Sequence, residues 1–205
     1  MITNYPIMLR LEGKKVVVVG GGKVAERKVT GLLETGARVM MISPEATDEL
    51  KRLADEGKLD WQQRLFSQDD LKDAFLIFVA TNDTTLNQQI KDSAGCHQLV
   101  TIADDPDGSD FHLPSYFQRG RLSIAVATGG ASPMLARKIR EQLEQQFDET
   151  YEEYLDFLFL KRQWILQEVA DATLKRKLLT AIVSPEFLNS NNREVDFQQL
   201  YEKMI

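Results

Sequence analysis

The sequence predicts an α/β fold: a parallel sheet of βαβ units over residues 1–111, a mixed segment over 112–148 and a small helical domain over 149–205. Three observations carry this. Short β-branched runs alternate with helix-spaced segments through the first half of the chain. A turn-rich acidic stretch, Asp104–Asp110, breaks that alternation. From Thr150 onward only helical spacing is left.

Lys15–Val19 (KVVVV) reads as a buried parallel strand. Val24, Val29, Leu32 and Leu33 are spaced for a helix over Val24–Glu34, which Gly36 ends. Arg38–Ile42 is a second strand, and Glu45–Glu56 a second helix closed by Gly57. Asp60–Gln63 is a third strand by its place in the alternation, and Phe75–Ala80 (FLIFVA) is a fourth. Thr84–Ala94 is helical and Leu99–Ala103 is a fifth strand. Strands alternating with helices imply right-handed crossovers and a parallel sheet. Beyond the acidic stretch, Leu122–Ala127 is a further strand. Ser132 caps a helix that opens with Pro133 and runs to about Phe147. In the tail, Tyr154, Leu155, Leu158, Trp164, Ile165 and Val169 fall on inner faces, and Asn189–Arg193 is a loop before a short last helix.

The bulk numbers exclude several classes of function. The 205 residues are 43% hydrophobic and 27% charged, ordinary for a globular protein. No run approaches the length of a membrane span, and Met1–Arg10 lacks the pattern of a signal peptide, so a cytoplasmic setting is expected. Cys96, the single cysteine, forms no internal disulfide and is expected as a small apolar filler near a strand. The net charge of −6 argues against nucleic acid as a partner. An acidic chain that takes an anionic ligand must gather its bases locally.

The turn after the first strand, Gly20-Gly21-Gly22-Lys23-Val24-Ala25, satisfies G-x-G-x-x-A. Such a turn permits a tight bend at Gly20 and lets a pyrophosphate approach at Gly22, against a helix N-terminus with unpaired N–H groups. Between a strand and a helix it is the dinucleotide-binding context, and no G-K-[ST] follows to make it a P-loop. An acidic ribose ligand is expected at the end of the second strand, where the chain has Ser43-Pro44-Glu45. The Ser43 hydroxyl or Glu45 serves there. No Arg or Lys immediately follows to hold a 2′-phosphate, so NAD is favoured over NADP. Thr81, Asn82 and Asp83 end the fourth strand on the same carboxyl edge, and they also suit turn formation and helix capping.

Asp104, Asp105, Asp107 and Asp110 crowd one segment, but not at EF-hand spacing. Asp104 directly follows the fifth strand. A partly desolvated carboxylate there is a candidate general base, and the other three read as turn formers. A second anion-binding turn, Thr128-Gly129-Gly130-Ala131-Ser132-Pro133, leads into a helix. Arg119, Arg121, Arg137, Lys138 and Arg140 are expected around it, with Arg137, one turn into the helix, the best single candidate.

These motifs together resemble the precorrin-2 dehydrogenase family, the dehydrogenase and chelatase module of siroheme synthases. The carrying residues are VVVVGGGKVAERK at 16–28, ATND at 80–83, ADDPDGSDFHLPS at 103–115 and AVATGGASPMLARKIREQLE at 125–144. The resemblance runs from about residue 5 to residue 147. It implies a Rossmann-type NAD-binding domain, a dimerisation region and a helical C-terminal domain in a homodimer. It implies hydride transfer from precorrin-2 to NAD, yielding sirohydrochlorin in siroheme synthesis. Asp104 matches the family aspartate credited with proton removal. Lys23, Val24, Pro44 and Glu45 match backbone positions that hold the dinucleotide. Thr128, Gly129, Gly130, Ser132 and Arg137 match the lining of the tetrapyrrole cleft. The chain departs from the pattern at Thr101, where many members have Asn near the aspartate, and at Ala127-Thr128, where serines are frequent.

Three other readings stand beside this one. Some family members also insert ferrous iron. The chain has only His97, His112 and one Cys, with no spaced metal-ligand set, although a tetrapyrrole can itself ligate iron. His112, near Asp104 in sequence, is a further candidate for the substrate site. A non-catalytic NAD sensor would leave Asp104 and the basic helix without a task. A dehydrogenase for a substrate with one carboxylate would need only one of the arginines.

Overall fold

The computed structural model describes residues 4–205; the first three residues of the segment 1–111 lie outside the described residues. The chain divides into two compact units, one built from residues 5–113 and the other carrying residues 114–205.

The first unit is a five-stranded parallel sheet. Its strands are β1 (Lys15–Val19), β2 (Arg38–Ile42), β3 (Asp60–Gln62), β4 (Leu76–Val79) and β5 (Leu99–Ile102), in the order β3-β2-β1-β4-β5. Strand β1 pairs in register with β2 through Val17↔Met40 and with β4 through Val17↔Ile77. Because successive side chains alternate across a strand, β1 feeds two separate cores. Val16 and Val18 pack with Ala25, Val29 and Leu32 of α1 (Lys23–Leu33) and with Leu50 and Leu53 of α2 (Asp48–Asp55). Val17 and Val19 pack on the other face with Ile90 of α3 (Thr84–Ser93) and with Leu71. Both faces are covered, which is why the strands read as continuous apolar runs.

One feature of this unit departs from expectation. Helix α2 begins at Asp48, not Glu45, because the Thr47 side chain accepts from the Leu50 N–H and sets the start. Residues 43–46 form the turn before it. No α-helix joins β3 to β4. A four-residue 3-10 helix, Gln68–Leu71, takes its place, closed by a capping box between Ser67 and Asp70.

The second unit opens with an antiparallel hairpin of β6 (Ser115–Arg119) and β7 (Leu122–Val126). Its first strand was not expected. Helix α4 (Pro133–Gln146) packs on the hairpin, with Ser132 capping Leu135 and Pro133 in the first turn. Four helices follow: α5 (Thr150–Glu168), α6 (Ala172–Ala181), α7 (Pro185–Leu188) and α8 (Arg193–Met204). Their core holds Tyr154, Phe157, Ile165, Val169, Leu178, Ile182, Phe187 and Phe197. The Tyr154 hydroxyl donates to the Ile182 carbonyl at 2.8 Å, so this buried ring keeps its polar group satisfied. Among the described residues no helix is long and apolar enough to cross a membrane.

Candidate active site

In an open parallel sheet, ligands bind beyond the carboxyl ends of the strands. The first unit places Gly20, Gly22, Lys23, Val24, Ser43, Pro44, Glu45, Thr81, Asn82, Asp83 and Asp104 along that edge, in the loops that follow β1, β2, β4 and β5.

The glycine turn is shaped from three sides. A side chain on Gly20 would run into the Ala80 carbonyl, and its φ of +119° suits only glycine. A side chain on Gly21 would run into the Glu45 carbonyl and come within 2.9 Å of the Ser43 hydroxyl oxygen. Thr47 N–H donates to the Gly21 carbonyl at 3.0 Å, tying the turn to the β2–α2 loop. A Cβ on Gly22 would meet nothing within 4 Å. Gly22 is the N-cap of α1 and makes no side-chain cap, and the first intrahelical bond runs from Glu26 N–H to Gly22 O at 2.9 Å. The N–H groups of Lys23, Val24 and Ala25 therefore have no intrahelical acceptor and lie at the positive end of the helix dipole, beside the open space at Gly22. These residues fit a pyrophosphate. The Lys23 ammonium is paired with Glu26 at 2.9 Å, so its backbone rather than its charge is what the turn offers. The Thr47 hydroxyl, and then Lys23, hold the Glu26 carboxyl below the usual carboxylate range.

Ser43 is buried, with its N–H on Gln62 O at 3.2 Å and its carbonyl accepting from Trp61 Nε1 at 3.0 Å. Pro44 and Glu45 are exposed beside it. Arg64, the arginine after β3, forms a two-pronged hydrogen bond with Asp70, 2.8 Å for one prong.

The loops after β4 and β5 are joined by a residue that no sequence motif marks. Asn87, only 3% exposed on α3, accepts a short hydrogen bond from the Thr81 hydroxyl. Its Nδ2 donates to the Thr81 carbonyl at 3.3 Å and to Asp104 Oδ1 at 3.4 Å. A buried amide among the polar residues of TTLNQQ leaves only its place on the inward helix face, one turn before Ile90, as a signal. Asp83 caps α3 by accepting from Leu86 N–H at 3.0 Å, and Asn82 is exposed.

Asp104 is exposed, so the expected partial desolvation is not provided by the residues of this unit. Two of the other acids of the segment have structural partners, and Asp107 is exposed. Asp105 accepts from Gly108 N–H at 2.9 Å. Asp110 accepts from Val100 N–H at 2.8 Å and pairs with Lys91 at 2.5 Å. Ser109 accepts from Ile102 N–H at 2.9 Å and donates to Asp105 O at 2.7 Å. The loop is thereby folded back on β5 with Asp104 at its outer start. Phe111 anchors the exit edge-on against Phe78, ring centres 5.5 Å apart, and His112 beyond it is exposed.

In the second unit, Gly129 and Gly130 are consecutive left-handed residues with open space where side chains would be. The Thr128 hydroxyl accepts from Ser132 N–H at 3.2 Å, and the Ser132 hydroxyl accepts from Leu135 N–H at 3.1 Å. The turn is thus held from within and presents backbone to solvent. Arg137 is exposed and paired with Glu141 at 2.8 Å, and Arg140 bonds Glu141 and Glu144. Arg137 first, then Arg140, keeps the Glu141 carboxyl below its usual range.

Two expectations are corrected. Arg119 and Arg121 do not cluster at this turn. They sit at the far tip of the hairpin, where Arg119 donates to Phe147 O at 2.8 Å and to Glu144 O at 3.2 Å, satisfying the free carbonyls of the α4 C-terminus. Arg121 pairs with Asp156 at 2.7 Å and lies 3.7 Å over the Phe159 ring. Cys96 is not an apolar filler. It is exposed in the α3–β5 turn, on a cavity of about 820 Å³ at the amino edge of the sheet. That cavity opens opposite the glycine turn and is not where a parallel sheet takes a dinucleotide. Among the described residues no group of three or more His, Cys, Asp or Glu side chains is placed to hold a metal ion.

Known proteins match nearly the whole chain. A family described as "Putative NAD(P)-binding" matches residues 7–115, "Sirohaem biosynthesis protein central" matches 119–146 and "SirC C-terminal domain" matches 151–196. A precorrin-2 dehydrogenase of Priestia megaterium is 36% identical over 97% of this chain and 98% of its own length. A precorrin-2 dehydrogenase of Bacillus subtilis is 31% identical over 77% of this chain and 98% of its own length. The siroheme synthase of Nitrosococcus oceani is 40% identical over 83% of this chain, which spans only 37% of that longer protein. A solved structure described as SirC, precorrin-2 dehydrogenase, superposes with a TM-score of 0.84 at 36% identity, covering 98% of this chain and 100% of that one.

Proposed function

The chain belongs to the precorrin-2 dehydrogenase family, and from that premise we propose that it oxidises precorrin-2 to sirohydrochlorin with NAD as hydride acceptor. The observation that carries this reading is the shared placement of the open Gly22 turn and Asp104 on one sheet edge, in loops after β1 and β5. The N–H groups of Lys23 and Val24 bind the pyrophosphate, and exposed Glu45 takes the ribose beside buried Ser43. The cofactor, when bound, supplies the hydride acceptor. Asp104 takes the proton that leaves the substrate as the hydride departs, so one hydride and one proton account for the two-electron oxidation. NAD is the proposed form because Arg64, the arginine after β3, is held by Asp70 and not left for a 2′-phosphate.

The turn Thr128–Ser132 and Arg137 are proposed to receive carboxylates of the tetrapyrrole, and His112 is carried as a further substrate contact. The segment 112–148 is proposed as the dimerisation region of a homodimer, between an NAD-binding part (1–111) and a helical part (149–205). Supporting this, β6 and β7 form a sheet of only two strands, a marginal unit in isolation. Tyr116, Met134 and Leu135 are exposed around it. A reducing cytoplasm is the proposed setting.

The test is anaerobic absorbance with precorrin-2 and NAD. Wild type develops the sirohydrochlorin spectrum and Asp104→Ala does not. Turnover in both would remove Asp104 from the chemistry. Dinucleotide binding without turnover, with NAD or NADP, would overturn the dehydrogenase reading.

A further inference from the structure

We infer that Asn87 is a positioning residue for Asp104: its amide fixes one carboxylate oxygen of Asp104 and leaves the other to accept the proton. The kinetic part of this inference rests on the dehydrogenase reading above.

Asn87 lies one turn before Ile90 on the inward face of α3, where an apolar residue would pack better. A buried amide left unsatisfied costs about 1–3 kcal/mol. Asn87 avoids that cost only because both of its ends are engaged. The Thr81 carbonyl and the Asp104 carboxylate can only accept, so the NH2 end must face them, and Oδ1 is left to accept from the Thr81 hydroxyl. That end has two hydrogens and two acceptors, the Thr81 carbonyl at 3.3 Å and Asp104 Oδ1 at 3.4 Å. With both N–H groups and one lone pair of Oδ1 engaged, the amide has one orientation. It links the loop after β4, on the proposed dinucleotide edge, to the carboxylate proposed as base. Asp104 is otherwise exposed and projects from the start of a loop in which Asp105 and Asp110 are bound to backbone N–H groups.

The remaining charged groups of these elements do not compete for the role. Asp83 caps α3, Asp92 accepts from Gln88, and Lys91 pairs with Asp110. Asp105 is bound to Gly108 N–H, while Asp107 and His112 are exposed. A hydrogen bond donated to a carboxylate favours its ionised form, and a second carboxylate in the same place disfavours it. The sign of each substitution follows.

The experiment measures kcat/KM for precorrin-2 oxidation against pH in wild type, Asn87→Ala and Asn87→Asp, with NAD affinity and melting temperature on the same preparations. Asn87→Asp is expected to move the acidic limb of the profile up by about one pH unit. Asn87→Ala is expected to move it the same way by less, with NAD held saturating because the variant also frees Thr81 on the proposed dinucleotide edge. An acidic limb that stays in place, in a variant that melts like wild type and is saturated with NAD, would overturn the inference. Should wild type show no turnover, the dehydrogenase reading fails. The inference is then decided by NMR titration of the Asp104 carboxyl carbon: an upward displacement in Asn87→Ala supports it and an unchanged curve overturns it. Thr81→Val removes the hydroxyl that orients the amide. It is expected to act in the same direction, and it decides the matter by the same titration if neither Asn87 variant folds.

Discussion

Gly21 lies against the carbonyl oxygen of Glu45 with no room for a methyl group between them, whereas its neighbour Gly22 faces open space. The two glycines therefore answer differently to one substitution. Gly21→Ala forces two backbone segments apart and is expected to destabilise the first unit by about 3 kcal/mol. Gly22→Ala should melt close to wild type yet weaken NAD binding at least tenfold, because the methyl occupies the approach to the helix N-terminus. Thermal melts with calorimetric NAD titration on both variants check this. Equal NAD affinity in Gly22→Ala and wild type would contradict it.

Asp70 gives a stability change with pH whose sign is fixed. The Arg64 guanidinium, aided by the Ser67 N–H, holds the Asp70 carboxyl below its usual range in spite of burial. The folded value lies beneath the unfolded one of about 3.9, so the stabilisation is present above that pH and is lost as pH falls through the folded value. Asp70→Asn should cost about 1–2 kcal/mol at neutral pH. Urea unfolding of both proteins down the acid range should show that difference shrinking. A difference that stays constant would mean Asp70 is not bound as described.

Arg119 and Arg137 separate structure from ligand binding in the second unit. Arg119 satisfies two carbonyls at the end of α4, so Arg119→Ala should lower stability by about 1–2 kcal/mol. Arg137 has only an exposed pair with Glu141 one turn on, which contributes little to stability. Arg137→Ala is expected to keep the wild-type melt and raise KM for precorrin-2 about tenfold, with kcat less affected. Steady-state kinetics with melts would show it, and an unchanged KM would return Arg137 to the solvated surface.

What could be read from the sequence follows from where the physics is local. KVVVV and RVMMI announce themselves because both of their faces are buried. The glycine turn is legible because its context, strand before and helix after, is contiguous in the chain. Strand β6 (SYFQR) is hard to read because its inward positions are Ser115, Phe117 and Arg119, of which only Phe117 is apolar. Helix α2 starts three residues after Glu45 because the Thr47 cap sets its first turn, and a cap is read only against competing capping residues nearby. Asn87 was missed for a different reason. Its partners are 6 and 17 residues away, and a lone asparagine in a helix looks like any solvated residue until the fold brings those loops to it. Arg119 and Arg121 were drawn to the wrong end of the hairpin because nearness in sequence was read as nearness in space.

Strand β5 is an outer strand of the sheet, and the acidic loop that follows it folds back along its free side through Asp110, Ser109 and Asp105. An uncovered outer strand is a template for unwanted pairing between molecules. Here the N–H groups of Val100 and Ile102 already have partners, and the loop that covers them is rich in negative charge that repels a second copy. The segment that displays Asp104 to solvent thus also guards the sheet against edge-to-edge aggregation, so substitutions that loosen its inner acids would be felt first in solubility.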